Sequence, residues 1–444
     1  MGAFFEPDNP DLQRQERALL VGISLPDISP WEAEDSLDEL SRLADTATLA
    51  EADRLLQNRD RIDATYYIGK GKAAELKHFA QEREADLIIF DNDLSPAQMR
   101  NLEKVTDMRI LDRSGLILDI FARHARTRTA QIQVELAQLN YLLPRLTRQW
   151  THLSRQAGGG AIRGMGAAGV RGPGETQLET DRRMIRKRIH DLKGKLDKIG
   201  RQMATSRSSR STAFKVALVG YTNAGKSTLM RTLSGAPVLV EDQLFATLDS
   251  TTRSVDLDHN QKILLTDTVG FIKRLPHHLF ASFRATLEEA IEADLLLHVI
   301  DLSHPQCESQ IDTVERVLRD LQLEDRPTLL VFNKIDQIDA EKMEEIARSR
   351  DMREDAVAVS ALTGFGLEKL KERIGIYNQE NAVTLDLQIP QKEGRLLAQL
   401  YAEGDILERQ FQGNDVLLRV HLDRSWADRW QLNRFAATAE ITAG

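Results

Sequence analysis

Eight consecutive residues, Gly220-Tyr221-Thr222-Asn223-Ala224-Gly225-Lys226-Ser227, have types and spacing suited to holding a polyphosphate. Concentrated negative charge is met best by backbone N–H groups that approach closely, and glycine at 220 and 225 removes the Cβ atoms that would collide there. Lys226 adds a point charge for the outer phosphates. The Ser227 hydroxyl heads a helix read as Ser227 to Leu233 and is a hard oxygen donor for Mg²⁺. A second metal-facing hydroxyl is expected at Thr247, within Phe245-Ala246-Thr247-Leu248-Asp249. The phosphate loop alone leaves the nucleotide unidentified.

Three further elements follow in order, each after an apolar run of strand character. Behind Lys262 to Leu265 comes Asp267-Thr268-Val269-Gly270; Asp267 is expected to hold a magnesium-bound water and the Gly270 N–H to meet a γ-phosphate, so hydrolysis releases both loops. Lys226, Thr247 and Gly270 are therefore the expected catalytic contacts. Behind Thr328 to Phe332 comes Asn333-Lys334-Ile335-Asp336, placed where parallel strands of a doubly wound sheet present their ligand loops. Asp336 can accept from the N1 and N2 donors of guanine, an edge adenine lacks, and Asn333 is expected to tie this loop to the phosphate loop. In Ser360-Ala361-Leu362, behind Ala356 to Val359, Ser360 and Ala361 are expected to offer backbone N–H groups to O6. Each element alone is a weak signal, because Asp-Thr-Val-Gly strings are common and Asn-Lys-Ile-Asp suits a surface loop. Four in order, each at a strand end, specify a site for GTP and GDP and a GTP hydrolase. Phe271, after the last glycine of its motif, is apolar and cannot orient an attacking water, so slow intrinsic turnover is expected. Asn223 has two open readings: a residue that tolerates a turn conformation, or part of a K⁺ site.

The elements that must position these loops form a multidomain α/β chain. At 444 residues, with a formal net charge of −9 and one cysteine, Cys307, the chain is long enough for about three domains and has no internal disulfide. Met1 to Gln15 is polar, without the basic and apolar regions of a signal peptide, and no apolar run is long enough to span a bilayer. A cytoplasmic protein is expected, a monomer, with association to ribosomes or a membrane surface left open. Residues 1–15 read as a disordered tail, 16–125 as an α/β domain, 126–212 as a basic helical hairpin with glycine-rich loop and linker, 213–376 as a doubly wound P-loop domain and 377–444 as a small α+β domain. Within 16–125 the strand-like runs are Ala18 to Ile23, Thr65 to Ile68, Leu87 to Phe90 and Arg109 to Leu111. The hairpin pairs Thr129 to Leu143 with Glu175 to Met203, the latter expected to break near Gly200; Ala204 to Thr212 reads as linker. In the last domain the expected elements are a strand Val383 to Gln388, a helix Glu393 to Leu400 and a strand Asp415 to Leu422.

The overall negative charge argues against nucleic-acid binding by the bulk of the chain and against DNA as a partner, yet Arg182 to Arg210 holds eleven Lys or Arg against two Asp. Upstream, Gly158 to Gly174 has eight glycines in seventeen residues, including Arg163 and Arg171 nearby in sequence, and cannot form an ordinary helix or strand. A charged helical face is usually just solvated. Coupled to an arginine-bearing flexible loop, it gains the phosphate-neutralising character of an RNA contact. Trp150 and Tyr141 are available for base stacking, with a core role the favoured reading, and His298 in Leu295 to Ile300 reads as a core histidine.

Leu94-Ser95-Pro96-Ala97-Gln98, Asp112-Arg113-Ser114-Gly115-Leu116-Ile117-Leu118-Asp119-Ile120-Phe121 and Gly172-Pro173-Gly174-Glu175-Thr176-Gln177-Leu178-Glu179-Thr180-Asp181-Arg182-Arg183 resemble the signature of the HflX ribosome-associated GTPases. The resemblance runs from about residue 16 into the early C-terminal segment, with a longer loop at Ala161 to Val170. It implies an N-terminal domain and hairpin that bind the large ribosomal subunit and its rRNA, and a role in splitting or recycling stalled ribosomes under stress. It also implies adenine-nucleotide binding in the N-terminal domain, for which Tyr67-Ile68-Gly69-Lys70-Gly71-Lys72 is the matching phosphate candidate; the other reading of that stretch is a tight strand-to-helix turn. A ribosome-assembly GTPase, a GTP-controlled signalling or scaffold protein and an ATP-driven RNA-remodelling factor are the alternatives.

Overall fold

Strand β1 (Arg17–Ser24) is apolar almost throughout and its interior is buried, as a central parallel strand requires. It pairs in parallel with β2 (Ala50–Asn58) and β3 (Leu87–Phe90), and β3 with β4 (Arg109–Asp112), giving the order β2-β1-β3-β4. The computed structural model describes residues 15–146, 177–208, 214–235, 244–245, 250–257, 262–273, 290–338, 356–380, 382–423, 426–427 and 430–437. The tail 1–14 and the glycine-rich stretch 158–174 with Trp150 lie outside the described residues. Two units are defined by packing, one of Met1–Arg201, Glu241–Asp249 and Val269–Leu287, the other of Gln202–Val240, Ser250–Thr268 and Glu288–Gly444.

In the first unit the crossover helices are α1 (Pro30–Thr46), α2 (Lys70–Glu82) and α3 (Pro96–Thr106). Both α1 and α3 open with proline after a serine cap, and Glu32 or Gln98 reaches back to close a capping box. Thr65 to Ile68 is a turn rather than the expected strand: the Asp63 carboxylate accepts from the Thr65 and Tyr66 N–H groups at 2.8 and 2.7 Å. The second strand is instead Ala50–Asn58, at the sheet edge, whose charged residues hide it from a search for apolar runs.

Helix α4 (Arg113–His124) follows β4 directly, capped by Asp112, and α5 (Arg128–Leu142) follows α4. Arg113 is 1% exposed and ion-paired to Glu39 and Asp91, both buried, with Ser36 donating to Asp91 at 2.7 Å. Asp112 accepts from the Tyr141 hydroxyl at 2.8 Å, Arg145 at 3.0 Å and the Gly115 N–H at 2.9 Å, which fastens the end of α5 to the sheet. Burial raises the Asp112 pKa, with Asp93 adding to the rise and Arg145 opposing it. Tyr141 therefore has the core role. Helix α6 (Gln177–Ser208) packs Ile189 and Leu192 against Ile132, Leu136 and Leu139 of α5, and Arg188 grips Glu135 through two contacts of 2.7 and 2.8 Å. It runs unbroken through Gly200, where the helix faces open space, and takes in residues expected to be linker.

The second unit is built on a six-stranded sheet, order β10-β9-β8-β5-β7-β6, formed by β5 (Phe214–Gly220), β6 (Thr251–Asp256), β7 (Lys262–Asp267), β8 (Leu295–Asp301), β9 (Thr328–Asn333) and β10 (Ala356–Ala358). All neighbours are parallel except β6 against β7. Helix α7 (Lys226–Ser234) follows β5, α8 (Cys307–Asp320) follows β8 and α9 (Leu367–Glu380) follows β10. A three-stranded antiparallel sheet of β11 (Ala382–Pro390), β13 (Asp415–Asp423) and β12 (Asp405–Gln412), in that order, completes it with α10 (Gly394–Glu403) on its buried face. The multidomain α/β class is as expected; β6 and β12 are additional.

Removing Arg113 leaves Glu39 and Asp91 as uncompensated buried charges. Arg113→Ala is expected to lower the unfolding free energy of the full chain by about 3–5 kcal/mol in urea titration. A loss below about 1 kcal/mol would mean those carboxylates do not depend on the guanidinium.

Candidate functional site

The described residues of Gly220 to Ser227, Asp267 to Gly270, Asn333 to Asp336 and Ser360 to Leu362 stand at or just beyond the carboxyl end of a parallel strand. Gly220 closes β5 with φ +152, and a Cβ there would come within 2.3 Å of the Val299 carbonyl oxygen. Gly225 caps α7 with φ +92 and no side-chain cap, and a Cβ there would meet Asn333 Nδ2 at 2.2 Å. Asn223 is exposed with φ 61, the left-handed conformation asparagine tolerates. The buried Thr222 hydroxyl has no hydrogen-bond partner among the described residues.

Lys226 is buried and folds over its own loop, donating to the Tyr221 and Gly220 carbonyls at 2.8 and 3.2 Å. Burial pushes its pKa down to about 8, with Asp267 working in the opposite sense. Ser227 Oγ lies 2.6 Å from Asp267 Oδ2, so the two hard oxygens expected around a metal converge. Thr268 donates to the Leu218 carbonyl at 2.6 Å. Val269, Phe271 and Ile272 are buried, and Phe271 presents no polar group. His298, in β8, is buried; burial and the Lys226 charge push its pKa down to about 4, which keeps it neutral.

At the base-reading end, Asn333 uses both ends of its amide: Nδ2 donates to the Ala224 carbonyl at 2.9 Å and Oδ1 accepts from the Ala361 N–H at 2.9 Å. Ser360 Oγ donates to Asp336 Oδ1 at 2.5 Å and orients that carboxylate. The Ser360 N–H donates to the Phe365 carbonyl at 3.0 Å and the Ala361 N–H to Asn333, so both N–H groups expected for O6 already have protein acceptors. The Leu362 N–H has none among the described residues. Lys334, with φ 64, pairs with Asp301 at 2.7 Å. Asp301 was not singled out from sequence, nor was Thr232, whose hydroxyl donates to the Ala361 carbonyl at 2.8 Å. Their roles depend on partners distant in the chain, which no local pattern encodes. Ile335 follows in a single turn of 3-10 helix with Asp336.

Of the stretch around Thr247, Phe245 is buried within the first unit, its ring edge-on to Phe121 with centroids 4.7 Å apart. Ala246, Thr247, Leu248 and Asp249 lie outside the described residues. In the same unit Gly69 has φ +89 and caps α2 without a side-chain bond, and Arg59 donates to the Ile68 carbonyl at 2.8 Å beside it. Among the described residues no cluster of three or more His, Cys, Asp or Glu could hold a metal, and no helix is long and apolar enough to cross a membrane.

Three family profiles match: residues 34–122 one described as GTP-binding GTPase N-terminal, 124–210 one described as GTP-binding GTPase Middle Region, and 215–334 one described as 50S ribosome-binding GTPase. The chain is 45% identical over 399 residues to the GTPase HflX of Magnetococcus marinus, covering 89% of this chain and 90% of that one. It is 43% identical over 411 residues to the GTPase HflX of Lacrimispora saccharolytica, covering 92% and 94%. To the GTPase HflX of Escherichia coli K12 it is 42% identical over 411 residues, covering 92% and 93%.

Asp336→Asn exchanges an acceptor for a donor where the guanine edge is expected. The variant is expected to lose GTP by several kcal/mol and to gain xanthosine triphosphate, read by equilibrium nucleotide binding; GTP affinity within about threefold of wild type would remove Asp336 from base reading. A polyphosphate restores the Lys226 ammonium, so above pH about 8 the free protein must take up a proton to bind. GDP affinity is therefore expected to fall as pH rises through that value, with proton uptake seen by calorimetry at pH 8 in two buffers of different ionisation enthalpy.

Proposed function

The chain belongs to the HflX family of GTPases, and from that premise we propose that its GTP-bound form grips the large ribosomal subunit through rRNA and splits or recycles stalled ribosomes under stress. It hydrolyses GTP to GDP and phosphate. The observation that supports the ribosomal reading is the surface of α6: Arg183, Arg186, Lys187, Lys193, Lys198 and Arg201 are exposed, while Ile189 and Leu192 are turned into the hairpin. A basic face on a helix whose apolar face is already used is suited to phosphate backbone, and structured RNA is read mostly through backbone and shape.

In the proposed nucleotide site, Gly220 to Ser227 cradle the phosphates, Lys226 meets the β- and γ-oxygens, and Asn333, Asp336 and the loop Ser360-Ala361-Leu362 take the base. Lys334 covers it, held by Asp301. Ser227 and Asp267, hard oxygens 2.6 Å apart, fit Mg²⁺, with Thr247 as a further donor; bound there, the ion supplies positive charge against the phosphates. Gly270 is assigned to the γ-phosphate by backbone N–H. Because Phe271 is apolar and buried, water positioning is assigned to the ribosome-bound state, and intrinsic turnover is slow. Asn223 is assigned to a K⁺ ion. An adenine nucleotide is assigned to the start of α2, where Gly69 leaves the first turn uncapped beside Lys70 and Lys72.

One assay separates these assignments. GTP hydrolysis should be slow alone and rise on adding purified large subunits, and should be faster in KCl than in NaCl at matched ionic strength. Equal rates in the two salts exclude the K⁺ role, an absent ribosome effect favours a signalling protein, and ATP turnover equal to GTP turnover favours an RNA-remodelling factor. Subunit binding should be about 5- to 150-fold tighter with a GTP analogue than with GDP, and by linkage subunits should tighten GTP binding equally. Accumulated assembly intermediates in cells lacking the protein, with normal splitting, would favour ribosome assembly.

A further inference from the structure

We propose that Thr232 is a positioning residue for guanine recognition: its hydroxyl fixes the peptide between Ala361 and Leu362 so that the Leu362 N–H faces O6 of the base. The inference rests on the reading of this site as a guanine site. Thr232 lies on α7, the helix that begins at the phosphate loop, and its Oγ donates to the Ala361 carbonyl at 2.8 Å across 129 residues of sequence. Its single hydroxyl hydrogen is shared with the Thr228 carbonyl at 3.0 Å, the local back-bond available to any helical threonine, and the Ala361 contact is the shorter of the two.

The peptide unit supplies the rest. A trans peptide is planar, with its C=O and N–H on opposite sides, so an anchor on the Ala361 oxygen also sets where the Leu362 hydrogen points. The two preceding N–H groups are committed elsewhere, Ser360 to Phe365 and Ala361 to Asn333. Leu362 keeps a free N–H among the described residues, and the residue is 72% exposed, so packing does not hold the peptide. Gly366, with φ +76 and only 2.3 Å from the Ala358 oxygen to a built Cβ, fixes the far end of the turn. Asn333 thus clamps the near side of Ala361 and Thr232 the far side. The helix carrying the phosphate grip thereby also carries the clamp on the base grip.

The test uses the full chain and compares dissociation of GDP with that of 6-thioguanosine diphosphate, whose sulfur is a weak acceptor in place of O6 while N1 and N2 are kept. Each is chased with excess GTP. Thr232→Val keeps the shape and removes the hydroxyl. GDP should leave about tenfold faster, the scale of one lost hydrogen bond, and the wild-type preference for GDP over the thio analogue should shrink to within about twofold. Thr232→Ser should restore both. A Val variant with wild-type GDP dissociation overturns the proposal. So does an equal acceleration for both nucleotides, which would mark general loosening of α7, and so does failure of Ser to rescue. Wild-type protein that binds no GDP would instead bring down the guanine-site reading itself, and this inference with it.

Discussion

One buried amide sets the geometry of the nucleotide-reading loops. Asn333 is 1% exposed and spends its donor on the phosphate loop at Ala224 and its acceptor on the base loop at Ala361. Three loops from three strands meet at this side chain, and a short amide with its NH₂ and its oxygen at fixed separation holds them in register. Aspartate at this position would lack the donor and glutamine would be a methylene too long. Gly225 follows as a consequence, because any Cβ there would occupy the place of Asn333 Nδ2. Ser360 and Asp301 then orient Asp336 and Lys334 within the frame that Asn333 establishes.

The first unit applies the same logic to charge. Arg113 with Glu39 and Asp91, and Asp112 with Arg145 and Tyr141, put several ionisable groups where desolvation is costly. Such groups contribute little net stability compared with an apolar replacement, but they penalise any arrangement that separates them. Arg113 ties α4 to α1 and to the end of β3, and Asp112 ties the end of α5 to β4. Arg145 also lies over the Tyr141 ring, 3.7 Å from its centroid, so the same residue ends the helix and covers the carboxylate's partner.

The strings at the strand ends were legible in the sequence because glycine, lysine, asparagine and aspartate have few structural reasons to recur together there. What was illegible shares one physical cause. The strands missed, β2, β6 and β12, are all sheet edges, where charged and polar residues replace the apolar run that marks a central strand. Thr65 to Ile68 failed in the opposite way: its aromatic and apolar residues have strand propensity, but the Asp63 carboxylate offers its N–H groups a turn instead. Gly200 was expected to break α6, yet a helix tolerates a lone glycine at a cost of about 1 kcal/mol when the rest of its apolar stripe is packed. Thr232 and Asp301 were hidden because a hydroxyl or carboxylate acquires its role only from what folding brings beside it.

The segments expected to sense the γ-phosphate have their own packing within the first unit. Phe245 meets Phe121 edge-on, and Lys273, three residues beyond Gly270, lies 3.5 Å from Asp35 of α1, both side chains 20% exposed. An aromatic pair of this kind contributes about 0.5–1.5 kcal/mol beyond its buried area, and a largely exposed ion pair at most about 1 kcal/mol; partial burial here places this one near the upper end. Together they amount to the 1–3 kcal/mol typical of coupling between two sites. Under the proposed reading, a change of nucleotide that alters these two contacts therefore carries enough free energy to alter the N-terminal unit's affinity for RNA by one to two orders of magnitude.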